Sequence, residues 1–306
     1  MEKEILFGIC ADVHHSARNN MTGRMATFVD EANARKADFI IELGDFCTPC
    51  PEAEPLMAQW NRFQGPSYHV LGNHDTEHAG KRAMMAFTGQ KEKYYSFDVG
   101  NYHFVVLDTN YFKVGPEYFD YDKDNYHQDF SNCYIPKFQL DWLEADLNAT
   151  DKRCFLFTHA TLELGDWCVY NIHEFGDRIW RINEKAGFNK VTMILSGHDH
   201  ADAHLFKGGI HYLLINSMSH KYIGPDCFHL SSHCAEATAG HPELNGMVPY
   251  KEPLYAFIRL KPNGLIQVIG KQTEYDGPSP VELHWPYYTS PQISYREMWM
   301  NGHGEL

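Results

Sequence analysis

Five short segments of the chain place polar side chains directly after apolar runs that have the character of β-strands. The side chains are carboxylates, imidazoles and one carboxamide, and the segments are Asp12-Val13-His14, Gly44-Asp45, Gly72-Asn73-His74-Asp75, His159 and Gly197-His198-Asp199-His200. Oxygen and imidazole donors in this mixture suit a pair of divalent metal ions, whereas a structural zinc site would favour thiolates. A binuclear site of this kind requires a fold that brings the ends of several strands together.

The apolar runs before these segments are short and continuous. They cover residues 5–10, 39–43, 68–71, 154–158 and 191–195. Runs of this length are typical of strands that are buried on both faces. Helical patterns lie between them at residues 24–35, 136–148 and 175–185. The alternation of strand and helix indicates a largely parallel sheet.

Three pairs of apolar runs around turn residues predict β-hairpins. They are residues 94–99 with 103–107, 203–207 with 210–215, and 254–260 with 265–272. Parallel units followed by hairpins favour an α/β fold with four αββα layers, in which two mixed sheets pack face to face with helices outside. Ligands of open α/β sheets bind beyond the carboxyl ends of the strands. The five polar segments are therefore expected to converge on one rim.

Three stretches lack regular patterning: residues 110–134, residues 219–250 and the tail from residue 275. Loops this long are usually functional or disordered, and the aromatic residues in these three favour ordered, packed loops. No internal repeat or low-complexity linker is visible. We therefore predict a single domain over residues 1–306, with a C-terminal extension from about residue 275 packed on it.

Charge and composition exclude several classes of partner. The net charge is −14 and no Lys/Arg block is present, so a nucleic-acid backbone is a poor partner. No apolar run approaches the roughly 18 residues of a membrane span. The apolar stretch near the N-terminus is too short for a signal peptide, and the eight scattered cysteines suit reduced thiols, so a cytoplasmic protein is expected.

Taken singly, each donor has an ordinary structural interpretation. Asp12 and Asp45 could be turn or N-cap residues, and His159 and His198 could be hydrogen-bonded core histidines. Taken together, several unpaired polar groups beside apolar strands would be costly to bury. The joint pattern therefore favours metal binding.

The order and chemistry of the five segments resemble the motif series of the calcineurin-like metallophosphoesterase family. The resemblance runs from Asp12 to His200, about two thirds of the chain. It implies two divalent ions (Mn, Fe or Zn) and in-line attack on phosphorus by a hydroxide that both ions share. The implied ligands are Asp12, His14 and His200 for one ion, Asn73, His159 and His198 for the other, and Asp45 as a bridge between the two.

The same resemblance places His74 beside the metal site. There it would act as a general acid that protonates the leaving oxygen, or as a charge stabiliser, because histidine titrates near working pH. Asp75 follows directly and has two possible roles. It would either orient His74 in catalysis or cap a loop.

Departures from the pattern narrow the branch of the family. Asp45 is followed by Phe46 and Cys47, so both the iron-ligating tyrosine of purple acid phosphatases and the Asp-Arg-Gly element of protein serine/threonine phosphatases are missing. The Asp-x-His opening and the Gly-His-Asp-His closing resemble the cyclic-nucleotide and glycerophosphodiester phosphodiesterases, a branch that includes hydrolases of ADP-ribose and CDP-alcohols. The segment around His159 lacks the His-His-Pro-Pro form of that branch, which leaves the substrate group open.

The resemblance thus implies a hydrolase of small phosphodiesters, with a small phosphorylated metabolite or a nucleotide-type diester as partner. A phosphomonoesterase is the alternative within the same class. A repair nuclease would need a DNA-binding surface that the net charge of −14 disfavours. A non-catalytic interaction protein on the same fold is the alternative of another class, although such proteins usually lose ligands. The sequence does not predict an oligomeric state.

A further group of residues is predicted to contact substrate at the rim of the site. Each has a plain alternative: a turn residue, a solvated lysine or an aromatic that anchors its loop. The group consists of His15, Trp167, Tyr170, His220 and Lys221.

Two cysteine-containing segments are also candidates for chemistry. Cys47 and Cys50 could have a redox or metal role, but two thiols that line the pocket mouth are favoured because no thioredoxin-like context is present. A loop with mixed sulfur and nitrogen donors could hold zinc, although its spacing matches no standard module and a mobile loop near the site is favoured. Its donors are Cys227, His229, His233 and Cys234.

Overall fold

The computed structural model describes residues 3–15, 20–125, 133–165, 168–224 and 246–302. In chain order, the strands are β1 (Ile5–Cys10), β2 (Phe39–Glu42), β3 (Ser67–His69), β4 (Tyr95–Val99), β5 (Tyr102–Val106), β6 (Tyr111–Val114), β7 (Glu117–Asp120), β8 (Arg153–Thr158), β9 (Val191–Ser196), β10 (Ala203–Lys207), β11 (Ile210–Leu214), β12 (His220–Tyr222), β13 (Met247–Pro249), β14 (Ala256–Leu260), β15 (Leu265–Ile269) and β16 (Arg296–Trp299). The helices are α1 (Met21–Ala34), α2 (Glu54–Trp60), α3 (Lys81–Thr88), α4 (Lys137–Ala149) and α5 (Ile172–Ala186).

Two six-stranded mixed sheets form the centre of the fold. The first has the order β16-β15-β14-β1-β2-β3, with β1, β2 and β3 parallel and the other three strands antiparallel. The second has the order β10-β11-β9-β8-β5-β4, with four central strands parallel and an antiparallel strand at each edge. The parallel strands of each sheet carry their carboxyl ends to one edge.

The central core lies between the two sheets. Phe7 of β1 packs edge-on against Phe104 and Phe157 of the second sheet, with ring centroids 5.8 and 5.9 Å apart, and all three side chains are fully buried. Edge-to-face pairs of this kind add to the hydrophobic gain of burying the rings.

Helices cover the outer face of each sheet. On the first sheet, α1 buries residues at helical spacing, among them Met25, Phe28 and Val29. On the second sheet, α4 and α5 bury their apolar faces, including Leu143 and Ile179. This apolar periodicity is the pattern of a helix that packs on one side. The predicted α/β class with two mixed sheets and outer helices is confirmed.

Short elements that the sequence pattern did not indicate also occur. Helices α2 and α3 were not predicted, and the stretches expected to be loops contain the β6–β7 hairpin and the β12–β13 pair. The tail contains β16, which pairs with β15 at the edge of the first sheet. These strands have only three or four residues and depend on distant partners, so they leave no local periodicity.

A buried histidine ties β4, β5 and α4 together and should make stability depend on pH. His103 contacts Asp98 at 2.7 Å and Asp146 at 2.8 Å. Burial alone would lower the pKa of His103, but the two carboxylates outweigh it and raise that pKa. The protonated ring therefore stabilises the fold below about pH 6.5, and this contribution fades as the pH rises through the raised pKa.

We accordingly expect His103→Gln to lower the free energy of unfolding more at pH 6 than at pH 9.5. The free energy of unfolding in urea at the two pH values, compared with wild type, measures this difference. An equal loss at both pH values would contradict the ion-pair role.

Candidate metal centre

The seven donor residues named from the sequence meet at the carboxyl ends of five parallel strands. They follow β1, β2, β3, β8 and β9, and they are Asp12 and His14, Asp45, Asn73, His159, and His198 and His200. Because these strands come from both sheets, the site spans the gap between them.

The backbone at five of these residues is left-handed. The φ angles are 50° at Asp12, 46° at His14, 57° at Asp45, 74° at His198 and 47° at His200. This conformation costs about 1–2 kcal/mol for a residue with a side chain, and it persists only where the surroundings impose it. Backbone hydrogen bonds between neighbouring loops do so here, including His14 N to Asp45 O at 2.8 Å. Concentrated strain of this kind is typical of functional sites.

Two glycines let the loops approach one another closely. A Cβ on Gly72 would lie 2.1 Å from the backbone nitrogen of Asp45, and one on Gly44 would lie 2.6 Å from Nδ1 of His159. Gly44 also has a positive φ of 92°. A side chain at either position would push the donors apart.

The first donor cluster contains Asp12, His14, His200 and Asp45. Nε2 of His14 lies 3.1 Å from Nε2 of His200, and Nε2 of His200 lies 3.5 Å from Oδ1 of Asp12. Nε2 of His14 also lies 3.6 Å from Oδ2 of Asp45. Two donors about 2.1 Å from a common ion are about 3 Å apart when they bind at right angles, so these spacings fit a metal ion.

The second cluster is centred on His159. Its Nε2 lies 3.0 Å from Oδ1 of Asn73, 3.0 Å from Nδ1 of His198 and 3.2 Å from Oδ2 of Asp45. The same carboxylate oxygen of Asp45 therefore faces both clusters. Such a shared oxygen suits a ligand that bridges two ions.

Hydrogen bonds behind the donors fix the orientation of two rings. Nδ1 of His159 donates to the carbonyl of Leu43 at 2.8 Å, and Nδ1 of His200 donates to the carbonyl of His220 at 2.9 Å. Each bond occupies Nδ1, so Nε2 is the nitrogen that faces the cluster. Metal-ligating histidines usually have such a partner.

Three of the rings are held neutral. Burial lowers the pKa of His14 and of His200 well below the usual range, and burial together with His159 lowers the pKa of His198 to about 3. Neutral imidazole is the form that binds metal. His159 is different, since Asp45 outweighs burial and raises the pKa of His159 to about 10. A cation at this place would displace that proton, so metal binding should release it.

The carboxylate of Asp75 holds two loops together. The hydrogen bonds that it accepts come from backbone N–H groups and not from His74. Its Oδ1 accepts from the backbone N–H groups of Phe46 at 2.7 Å and Cys47 at 3.0 Å. Its Oδ2 accepts from those of Gly72 at 2.8 Å and Asp45 at 3.0 Å. Of the two roles left open by the sequence, the loop cap is the one that these bonds favour.

We expect Asp75→Asn to destabilise the metal-stripped protein by about 2–4 kcal/mol. The amide group would present N–H groups to buried N–H donors, and each buried donor left without a partner costs about 1–3 kcal/mol. Urea unfolding of the stripped variant and wild type measures the difference. Equal unfolding midpoints would refute the loop-cap role.

His74 is oriented by a residue that the sequence analysis missed. Its Nδ1 lies 2.9 Å from Oε2 of Glu77, while its backbone N–H donates to Oδ1 of Asp45 at 2.8 Å. The side chain is 51% exposed, and its ring centroid lies 5.2 Å from that of His14. Burial would lower the pKa of His74, but Asp45 and Glu77 outweigh it and raise that pKa to about 9. A carboxylate three residues after His74 in the sequence was the available signal.

The residues predicted to contact substrate do not all lie at the rim of the site. His220 is buried beside His14 and His200 and does not lie at the rim, because β12 turns its ring inward toward these two donors. Nζ of Lys221 donates to the carbonyl of Asp199 at 2.7 Å and so supports the loop between the two histidine donors. Tyr170 is 54% exposed and stacks on Tyr134, with ring centroids 5.2 Å apart.

Other predicted residues lie at the margin of the site or outside the described parts of the chain. His15 is half-buried, and its backbone N–H donates to the carbonyl of Phe46 at 3.3 Å. Cys47 and Cys50 are free thiols, and burial raises the pKa of Cys47, which disfavours a reactive thiolate. The predicted residues that lie outside the described ranges are Trp167, Cys227, His229, His233 and Cys234.

Fold and site together define a metal-dependent phosphoester hydrolase. Comparison with protein families supports this class, since residues 5–202 match the model of the calcineurin-like phosphoesterases. The match covers about two thirds of the chain, and the protein belongs to this family. Among curated proteins, no sequence matches the chain.

Two solved structures share the fold at low sequence identity. A dimetal phosphatase from Danio rerio is 14% identical with a TM-score of 0.65, and the match covers 90% of this chain and 99% of that one. GAP50, the anchor in the inner membrane complex of Plasmodium, is 13% identical with a TM-score of 0.51, and the match covers 95% of this chain and 89% of that one. No helix in the described part of this chain combines the length and apolar character needed to cross a bilayer.

Proposed function

We propose that the protein hydrolyses small phosphodiesters with two divalent metal ions. The observation that carries the proposal is the single oxygen, Oδ2 of Asp45, that faces two clusters of carboxylate, imidazole and carboxamide donors. The proposed ligands are Asp12, His14 and His200 for one ion, Asn73, His159 and His198 for the other, and Asp45 for both.

Bound divalent cations supply Lewis acidity and positive charge for the phosphoryl oxygens. The donor side chains hold their geometry through the surrounding hydrogen bonds, so little reorganisation is needed when substrate binds. The net charge of −14 makes this local positive charge necessary for an anionic substrate. Mn, Fe and Zn all suit the donor set, and metal availability decides among them.

His74 would protonate the leaving oxygen. Glu77 engages Nδ1, so Nε2 is the nitrogen that can donate to substrate, and the raised pKa favours a ring that carries both protons. Half of the side chain is exposed, which leaves it accessible to a leaving group.

Diesters are preferred over monoesters on two grounds. The Asp-x-His and Gly-His-Asp-His segments resemble the phosphodiesterase branch. The stacked pair of Tyr134 and Tyr170 offers an aromatic surface that suits a nucleotide-type diester. The cytoplasmic location stays a prediction, to which the free thiols of Cys47 and Cys50 are suited.

Hydrolysis of bis(p-nitrophenyl) phosphate and of p-nitrophenyl phosphate tests the proposal. The metal-stripped protein is assayed with Mn²⁺, Zn²⁺ or Fe²⁺ restored. We expect diester cleavage that returns with metal. Monoester cleavage alone would make the protein a phosphomonoesterase, and the absence of both metal binding and cleavage would favour a non-catalytic interaction protein.

A further inference from the structure

His220 lies where a metal ligand would lie, although no sequence motif marks it. Its side chain is 2% exposed, and its ring centroid is 5.1 Å from that of His14 and 4.5 Å from that of His200. One ring nitrogen from each of these three histidines lies within 4.8 Å of the other two. His220 therefore adds a third imidazole to His14 and His200 in the first donor cluster.

Neighbouring hydroxyl groups fix the orientation of the His220 ring. Oγ of Ser219 lies 2.8 Å from its Nδ1 and also donates to the carbonyl of Asp12 at 3.1 Å. Oγ of Ser217 donates to the same carbonyl at 2.8 Å. The serine engages Nδ1, so the nitrogen on the other side of the ring, Nε2, is the one suited to bind a metal ion.

We infer that His220 is an additional ligand of the metal ion held by Asp12, His14 and His200. This inference rests on the proposed function, because it adds a donor to the same centre. The buried ring of His220 does not fit a substrate contact. Burial is not general along β12, since the side chain of Tyr222, two residues further along, is 45% exposed.

The additional imidazole makes the two metal positions chemically different. The first would have three imidazole nitrogens with the carboxylates of Asp12 and Asp45, and the second would have two imidazole nitrogens with Asn73 and Asp45. Imidazole favours Zn, Fe, Cu and Ni, while oxygen donors favour Mg and Mn. The two positions should therefore fill in sequence, and the first should bind zinc-type ions more tightly.

Titration of the metal-stripped protein with Co²⁺ tests the inference without an activity assay. In His220→Gln, we expect the tighter of two dissociation constants to weaken by at least about 10-fold and its visible absorption to change, while the weaker constant holds. The substitution keeps the backbone carbonyl that accepts from His200, so only the ring is lost. Ser219→Ala should weaken the same constant by a smaller factor, because it removes only the group that orients the ring.

His211→Gln is the matched control. His211 is also a buried histidine, 4% exposed, but its Nε2 donates to the carbonyl of Trp299 on β16, away from the donor clusters. Both cobalt constants should be unchanged in this variant. An equal fall of the tighter constant in both folded variants would show that the effect is not specific to His220 and would overturn the inference.

Unchanged cobalt affinity and absorption in His220→Gln would also overturn it, and a raised KM with unchanged metal binding would make His220 a substrate contact. If His220→Gln does not fold, pulsed electron paramagnetic resonance of wild type with one equivalent of Cu²⁺ counts the ligating imidazoles. Three imidazoles would support the inference, and two would overturn it. Metal binding that depends on His220 in a protein without hydrolytic activity would support the inference and refute the proposed function.

Discussion

Asp45→Asn should lose bound metal and lower kcat/KM for bis(p-nitrophenyl) phosphate by about 10³-fold or more. The amide removes the negative charge whose oxygen lies 3.6 Å from Nε2 of His14 and 3.2 Å from Nε2 of His159. Metal ions contribute several kcal/mol of transition-state stabilisation, and each 1.36 kcal/mol is a factor of ten in rate. Metal content by mass spectrometry and steady-state rates measure the two effects.

The same substitution should leave the fold intact. The carboxylate of Asp75 holds the donor loops by accepting four backbone hydrogen bonds, and Asp45→Asn removes none of them. The donors are the N–H groups of Asp45, Phe46, Cys47 and Gly72. Asp30→Asn is the control, since Asp30 is an exposed carboxylate of α1 that pairs with Arg62 and belongs to neither donor cluster. Two metal equivalents retained by Asp45→Asn, with wild-type rates, would refute the bridging role.

His74→Ala should keep both metal ions and lower turnover by about 10²–10⁴-fold on substrates with poor leaving groups. General acid catalysis matters most when the leaving oxygen is strongly basic, so the loss should be smaller with p-nitrophenyl diesters. Turnover of an alkyl and a p-nitrophenyl diester by the same variant, together with metal content, measures both expectations.

His78→Ala is the control for removal of an exposed histidine from the same segment. Its rates and metal content should match wild type. Loss of a metal ion from His74→Ala, with turnover on p-nitrophenyl diesters maintained, would show that His74 acts in metal binding and not as the acid.

The parts of the fold that could be predicted share one physical property, a signal that is local in sequence. A buried parallel strand needs a continuous apolar run, and its carboxyl end needs a tight turn, so β1, β2, β8 and β9 and the donors after them were visible together. The structure brings together all seven of the donor residues that this pattern named.

The β6–β7 hairpin could not be predicted because its support is distant. Its residue Asp120 lies 3.0 Å from Nζ of Lys81, which is buried and also contacts Asp108 at 2.6 Å. The hairpin itself is largely exposed, so its four-residue strands show no apolar alternation. Similarly, β12 and β13 pair across more than twenty intervening residues, which no local pattern can reveal.

The roles of Glu77 and His220 were missed for different reasons. Glu77 lies three residues after His74, and the adjacent Asp75 offered an equally plausible carboxylate. His220 belongs to a short strand in a stretch without periodicity, so only the three-dimensional arrangement brings it to His14 and His200. Sequence reasoning identified the donors that follow an apolar run within a recognisable motif and missed the histidine that has neither.

The left-handed backbone at the five donor residues links the stability of the protein to the metal supply of its surroundings. Folding without ions carries this conformational cost and the cost of burying the donors, while a ligand that binds only the native state stabilises it by RT ln(1 + [L]/Kd). Each tenfold rise in free metal above Kd thus adds about 1.4 kcal/mol per site. The abundance of the folded protein in a cell would follow metal nutrition, even when the amount synthesised stays the same.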